Sequence, residues 1–165
     1  ASLIQKGRAD EGIGFIVKGH AGFDKAGVGL WRPFHLACLA TGYVATDRID
    51  KALQTVNDAI GIANDRKGDG YAAELHRLKG ECTLEADPAA TAEAESCFQQ
   101  AIQIAQQQSS RSMQLRAMTS LAALWHGQGR TQEAHMMLQM LYSTFTEGLQ
   151  TPDLLRANEL LDRMQ

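Results

Sequence analysis

The sequence predicts an all-α chain built as a stack of antiparallel helix pairs, and three observations carry that prediction. The first is a recurring phrase of small and apolar residues: Ala52, Val56, Ala59; then Ala94, Phe98, Ala101; then Ala134, Leu138, Leu141; with a weaker version at Gly12, Ile16, Gly19. The phrases begin 40, 42 and 40 residues apart, a period that marks a helix pair as the repeating unit of a short solenoid. The second is a helical stripe ahead of each phrase, as in Leu36, Leu39, Ala40 and Tyr43, or Met118, Leu121, Ala122 and Trp125. The third is proline placement: of only 3 prolines, Pro88 and Pro152 follow Asp87 and Thr151, residues able to cap a helix start.

Each element follows in order. From about Arg8 to Phe23 the residues Ile13, Ile16 and Val17 fall on one side at helical spacing, and Gly22 and Gly27 punctuate the link that follows. Trp31, Pro33 and Phe34 open an apolar helix through Tyr43, and Asp47 with Asp50 reads as an N-cap and an acidic first turn. Leu53, Val56, Ile60 and Ala63 continue the partner helix until Lys67-Gly68-Asp69-Gly70 ends it. The next pair runs from about Tyr71 to Glu85 and from Pro88 to Gln108, and the third from the Met118 stripe through Gly127-Gln128-Gly129-Arg130 to Tyr142. A last helix from Pro152 to about Met164 carries Leu154, Leu155, Leu160 and Leu161 and reads as a solubilising cap on the stack. The expected organisation is one helical domain: a half repeat over about 1–28, repeats over about 29–68, 69–110 and 111–146, and a capping helix over about 151–165. The chain opens Ala-Ser with no initiator Met, and we read it as cut from a longer protein.

A chain of 165 residues with 44% hydrophobic and 21% charged side chains is long enough to bury a core as one domain. A net charge of −3, with Lys and Arg scattered singly among acids, offers no basic stripe for direct nucleic-acid binding. No apolar run is long enough to span a membrane and no signal sequence opens the chain, so a cytoplasmic location is expected. Cys38, Cys82 and Cys97, odd in number and each in a helical context, read as reduced core thiols.

Aligned on its Ala, one pair reads Leu39, Ala40, Tyr43, Ala52, Val56, Ala59 and another Leu121, Ala122, Trp125, Ala134, Leu138, Leu141. This resembles the tetratricopeptide repeat, in which small residues let two antiparallel helices approach. The implied fold is a tetratricopeptide-like right-handed α-α superhelix of about seven to eight antiparallel helices. The middle unit departs: Leu78, Lys79 and Cys82 stand where Leu, a small residue and Tyr are expected, and about three extra residues around Asp87 to Ala90 lengthen its turn on this alignment. The phrases Gly7-Arg8-Ala9-Asp10-Glu11-Gly12, Leu30-Trp31-Arg32-Pro33, Glu74-Leu75-His76-Arg77-Leu78-Lys79-Gly80-Glu81, Ala94-Glu95-Ser96-Cys97-Phe98, and Phe145-Thr146-Glu147-Gly148 with Thr151-Pro152-Asp153-Leu154 are more specific. Together they resemble the C-terminal repeat region of large bacterial signalling proteins that join a class III adenylate or guanylate cyclase domain, or a transcriptional activator, to an AAA-like signal-transduction ATPase.

That resemblance implies a non-catalytic scaffold that binds a protein or peptide, the upstream domains of its own polypeptide, or a small effector. It also implies that first helices line a concave groove, with Trp31, Thr41, His76, Arg116, Thr119 and Ser120 as its candidate binding residues and His76, Arg116 and Thr119 facing an acidic peptide or anion. No cofactor or metal is expected: His35 and Cys38 alone supply too few ligands, and the Gly14-to-Gly19 spacing lies inside a helix, where its amides do not cradle phosphate. The carboxylates at 47, 50, 93 and 95 are better used at helix starts and on exposed faces than in acid–base pairs, which makes an all-helical enzyme the least favoured reading. The 6 Met, all after Ser112, read as core, Trp125 as structural, and Trp31 as a residue facing the groove. An alternative to the binding module is self-association, because the first unit lacks its leading helix and Ile13, Ile16 and Val17 would form an apolar edge for a homodimer.

Overall fold

The computed structural model of the chain describes residues 8–25, 32–65 and 70–165. Among them lie eight α-helices: α1 Ala9–Lys25, α2 Arg32–Val44, α3 Ile49–Asp65, α4 Ala72–Ala86, α5 Thr91–Gln107, α6 Arg111–Gly127, α7 Thr131–Tyr142 and α8 Pro152–Arg163. No strand occurs among the described residues. Helix α1 runs through Gly22 to Lys25, slightly beyond the expected end, and both Trp31 and the Lys67-Gly68-Asp69 break lie outside the described residues.

Each helix packs on its chain neighbours, and a second ladder joins alternate helices: α2 to α4, α4 to α6 and α6 to α8. Helices α3, α5 and α7 make their substantial contacts only with chain neighbours. A stack in which one set of helices touches and the other splays must curve, with the touching set on its inner side. The concave face is therefore built by α2, α4, α6 and α8, and α8 continues the ladder as the first helix of a further unit.

The recurring phrase is the buried seam of each pair. Ala52, Val56, Ala59, Ala94, Phe98, Ala101, Ala134 and Leu138 are all buried, whereas Leu141 is half-buried. Phe98 is the bulkiest occupant of its position, and Gly80 makes room for it: a Cβ on Gly80 would stand 2.6 Å from Phe98 Cε1.

Gly80 and Cys82 correct the reading of the middle unit. The α4–α5 connection is residues 87–90, no longer than the 45–48 connection between α2 and α3, so no extra residues enter the turn. Cys82 then stands as far ahead of Ala94 as Ala40 does of Ala52 and Ala122 of Ala134, and all three are fully buried. The small residue is present, as Cys82, and Lys79 faces elsewhere. On the same register Glu85 occupies the position of Tyr43 and Trp125, and Ala90 that of Arg48 and Arg130. In the outer units these residues stack, Arg48 lying 5.2 Å from the Tyr43 ring centroid and Arg130 4.2 Å from that of Trp125. The middle unit has neither partner of that stack.

Three turns share one chemistry. After α2, α5 and α6 a left-handed residue, Asp47 (φ 58), Ser109 (φ 54) or Gly129 (φ 82), ends the helix. The next amide reaches back to a carbonyl of the last turn: Arg48 to Tyr43 at 2.8 Å, Ser110 to Ala105 at 2.9 Å and Arg130 to Trp125 at 2.9 Å. Asp47 is thus the C-terminal residue that closes α2 and not the N-cap of α3, although Asp50 does lie in the first turn of α3. The turn after α4 differs because the residue before a proline is pushed out of the helical region: Asp87 is extended (φ −143, ψ 102), its carboxylate accepts the Ala89 amide at 2.9 Å, and α5 starts at Thr91, later than the Pro88 expected. Pro152 does open α8, as read from sequence.

The methionines divide. Met164 is buried and Met118 and Met137 pack partly against the core, but Met136 and Met140 are 55% and 73% exposed on α7, so the expectation of core placement fails for those two. No helix among the described residues is long and apolar enough to cross a membrane.

Candidate functional site

The concave face has two unlike halves, both set by the ladder. Toward the N-terminal ends of the first helices it is closed by charge. Glu74, Arg77 and Glu81 lie on one face of α4 at helical spacing, with Glu74 and Arg77 side chains only 4% and 6% exposed. Arg77 Nε donates to Glu74 Oε2 at 2.9 Å and Nη2 to Oε1 at 2.8 Å, a two-pronged pair, while its Nη1 meets Glu81. Arg116 of α6 reaches the same Glu74 Oε1 at 2.7 Å and approaches Asp153, in the first turn of α8, at 3.7 Å. Ser120 donates to Glu81 Oε1 at 3.0 Å. Burial pulls the Arg77 guanidinium down, but the hydrogen bonds it donates to Glu74 and the charge of Glu81 outweigh it and hold it above its ordinary value. The result is a clasp of charge-assisted hydrogen bonds between α4 and α6, extended to α8 by the longer Arg116–Asp153 ion pair. The small space beside it, about 30 Å³ between Arg77, Arg116, Thr119, Asp153 and Arg156, is the size of a single water.

Toward the C-terminal ends the same face opens. A groove of about 430 Å³ crosses from Val44 of α2, over Glu81, Leu84 and Glu85 of α4 with Phe98 beneath, past Ser120, Ala123 and Leu124 of α6, to Arg156 of α8. It lies where the middle unit lacks its aromatic–arginine stack. Glu85 and Arg156 are exposed, and among the described residues neither makes an ion pair or hydrogen bond.

These placements sort the residues read from sequence. Arg116, Thr119 and Ser120 come together on the concave side of α6, Arg116 and Ser120 already engaged by Glu74 and Glu81, and the buried Thr119 hydroxyl donating to Leu115 O at 2.8 Å. Thr41 is exposed on α2, its hydroxyl bonded to Ala37 O at 2.9 Å. His76 is not with them: it shares a helical face with Lys79 and Thr83, turned away from Glu74, and those two, with Leu53 and Asn57 of α3, line a second concavity of about 340 Å³. His76 is buried, its Nδ1 has no hydrogen-bond partner among the described residues, and burial, with Lys79 nearby, lowers its pKa.

Glu74, Arg77, Glu81 and Asp153 of the clasp, and Leu84, Glu85, Ala123, Leu124 and Arg156 of the groove, were not singled out from sequence. The i, i+3, i+7 spacing of Glu74, Arg77 and Glu81 carried the signal for the first set. For the groove the signal is Glu85 at an aromatic position, which emerges only in the register that aligns Cys82 with Ala40 and Ala122.

Burial pushes the Cys82 thiol up to about 11, with Glu81 adding to it, and raises Cys38 and Cys97 as well, which keeps all three protonated and poorly nucleophilic. Among the described residues no three His, Cys, Asp or Glu side chains are grouped to hold a metal.

No family model matches the chain, and no curated protein matches it in sequence. Solved structures do match in fold. A kinesin light chain-like protein of Podosopora anserina with nearly identical TPR-like repeats is 19% identical, with a TM-score of 0.68 over 99% of this chain and 80% of its own. A single-substitution variant of that protein gives 0.69 at the same identity and coverage. The likeness spans the whole ladder of helices, and the fold of this chain is that of a tetratricopeptide-like repeat.

Proposed function

We propose that this chain is a non-catalytic, cytoplasmic protein-interaction module whose concave groove receives a segment of a partner, in the setting of a bacterial multidomain signalling protein. The observation that carries the reading is the division of the concave face. Its inner cations are consumed by Glu74, Glu81 and Asp153, which leaves the apolar-floored groove from Val44 to Arg156 as the free part of that surface. Ligand in that groove would touch α2, α4, α6 and α8 together and so bias the curvature of the ladder, a route by which a bound partner shifts the population of a neighbouring domain. The test is selection of a displayed library of random dodecapeptides on the chain, with Ala123→Trp as the filled-groove control. The reading predicts sequences enriched on the parent chain and lost on Ala123→Trp; equal recovery from both contradicts it.

Self-association is the second reading, favoured by Phe15 and Val17 of α1, which are 67% and 48% exposed, although Ile13 is buried. Light scattering at increasing concentration decides it: a dimer that Val17→Glu dissociates supports this edge, and a monomer throughout rules it out.

A further inference from the structure

Within the groove, the charges are ordered as well as present. From α2 to α8 its lining runs apolar at Val44, acidic at Glu81 and Glu85, apolar at Leu84, Ala123 and Leu124, and basic at Arg156. Glu81 is engaged by Arg77 and Ser120, whereas among the described residues Glu85 and Arg156 make no ion pair or hydrogen bond. Glu85 stands where the outer units place an aromatic ring under an arginine, and the position of that arginine is Ala90 here. The middle unit thus presents a carboxylate with no cation of its own, beside an apolar floor on Phe98. We propose that the groove takes a peptide whose apolar anchor has a basic residue on one side and an acidic residue on the other, the base on Glu85, the anchor between Leu84 and Leu124, and the acid on Arg156. The inference rests on the groove being the binding surface, and it adds the composition of what binds there.

Opposed charges at the two ends fix orientation more than they add affinity. Exposed pairs of this kind contribute modestly each, so the two together set a preference of about fivefold for a peptide with opposite charges on the two sides of its anchor over one without them. The experiment is the same dodecapeptide library, selected in parallel on the parent chain, on Ala123→Trp, and on Glu85→Lys, each first shown by circular dichroism to melt as the parent does. We expect parent-selected sequences enriched about fivefold in Lys or Arg on one side of an apolar anchor with Asp or Glu on the other, and Asp or Glu on both sides in sequences selected on Glu85→Lys. Groove-dependent enrichment without opposite-charge flanks, or flanks that Glu85→Lys leaves unchanged, overturns the charge assignment and leaves the groove reading standing. Enrichment that Ala123→Trp does not remove, or none at all, overturns both.

Discussion

Two joints of the same ladder are closed in different ways. Helices α2 and α4 meet through small and apolar side chains, Ala37 and Ala40 against Leu75, Leu78 and Cys82, with Tyr71 packed edge-on to Phe34 at 5.1 Å. One step along, α4, α6 and α8 are joined on the concave side by the Glu74–Arg77–Arg116–Asp153 clasp. The repeating phrase governs only the seam inside each pair. What lies between pairs is free to vary, and a unit that puts charge there spends it on itself, leaving the adjacent groove to carry recognition.

The largest loss of stability is expected at the charged joint. Arg77→Met should destabilise by about 3–5 kcal/mol in urea unfolding, because it leaves the buried Glu74 short of its main partner, and Glu74→Leu added to it should restore much of the loss. At the apolar joint Leu75→Ala should lower stability by about 3 kcal/mol through a cavity at a fully buried site, with no second change able to restore it. A half-exposed partner sharpens the contrast: Arg116→Gln should lower the unfolding free energy by about 1 kcal/mol, since Glu74 keeps the two-pronged Arg77 contact.

The smallest effect is a pH dependence. Burial lowers the pKa of His76 in the folded chain, so below the ordinary histidine value the unfolded chain takes up a proton that the folded chain refuses, and stability falls as pH drops from about 6.5 toward the lowered value. His76→Gln should flatten that part of the melting-temperature profile and leave it unchanged above pH 7. A parallel profile in the variant would place the acid sensitivity elsewhere.

The fold was legible because its determinant is local. Ala52, Ala94 and Ala134 repeat with a period that, joined to the helical stripes before them, stacked helix pairs satisfy, and Gly129 and Pro152 mark ends whose chemistry is contained in a few residues. Asp47 misled because a left-handed Asp closing one helix and an Asp capping the next look alike in sequence. The site was less legible. The Glu74–Arg77–Glu81 spacing was readable within α4, whereas the meeting of Arg116 with both Glu74 and Asp153 depends on how three helices turn past one another, which no spacing states. His76 was placed in the groove because first helices line it. That is true of one stripe of α4, and His76 lies on another.

The claim that the open half of the ladder's inner face is where partners bind is tested most directly by mapping amide chemical-shift changes on the chain as a library-selected peptide is added. The account predicts changes at Val44, Leu84, Glu85, Ala123, Leu124 and Arg156, all on α2, α4, α6 and α8, with α3, α5 and α7 silent apart from the neighbourhood of Phe98. Changes centred on Leu53, Asn57 and Thr83, in the concavity on the other side of α4, would contradict it.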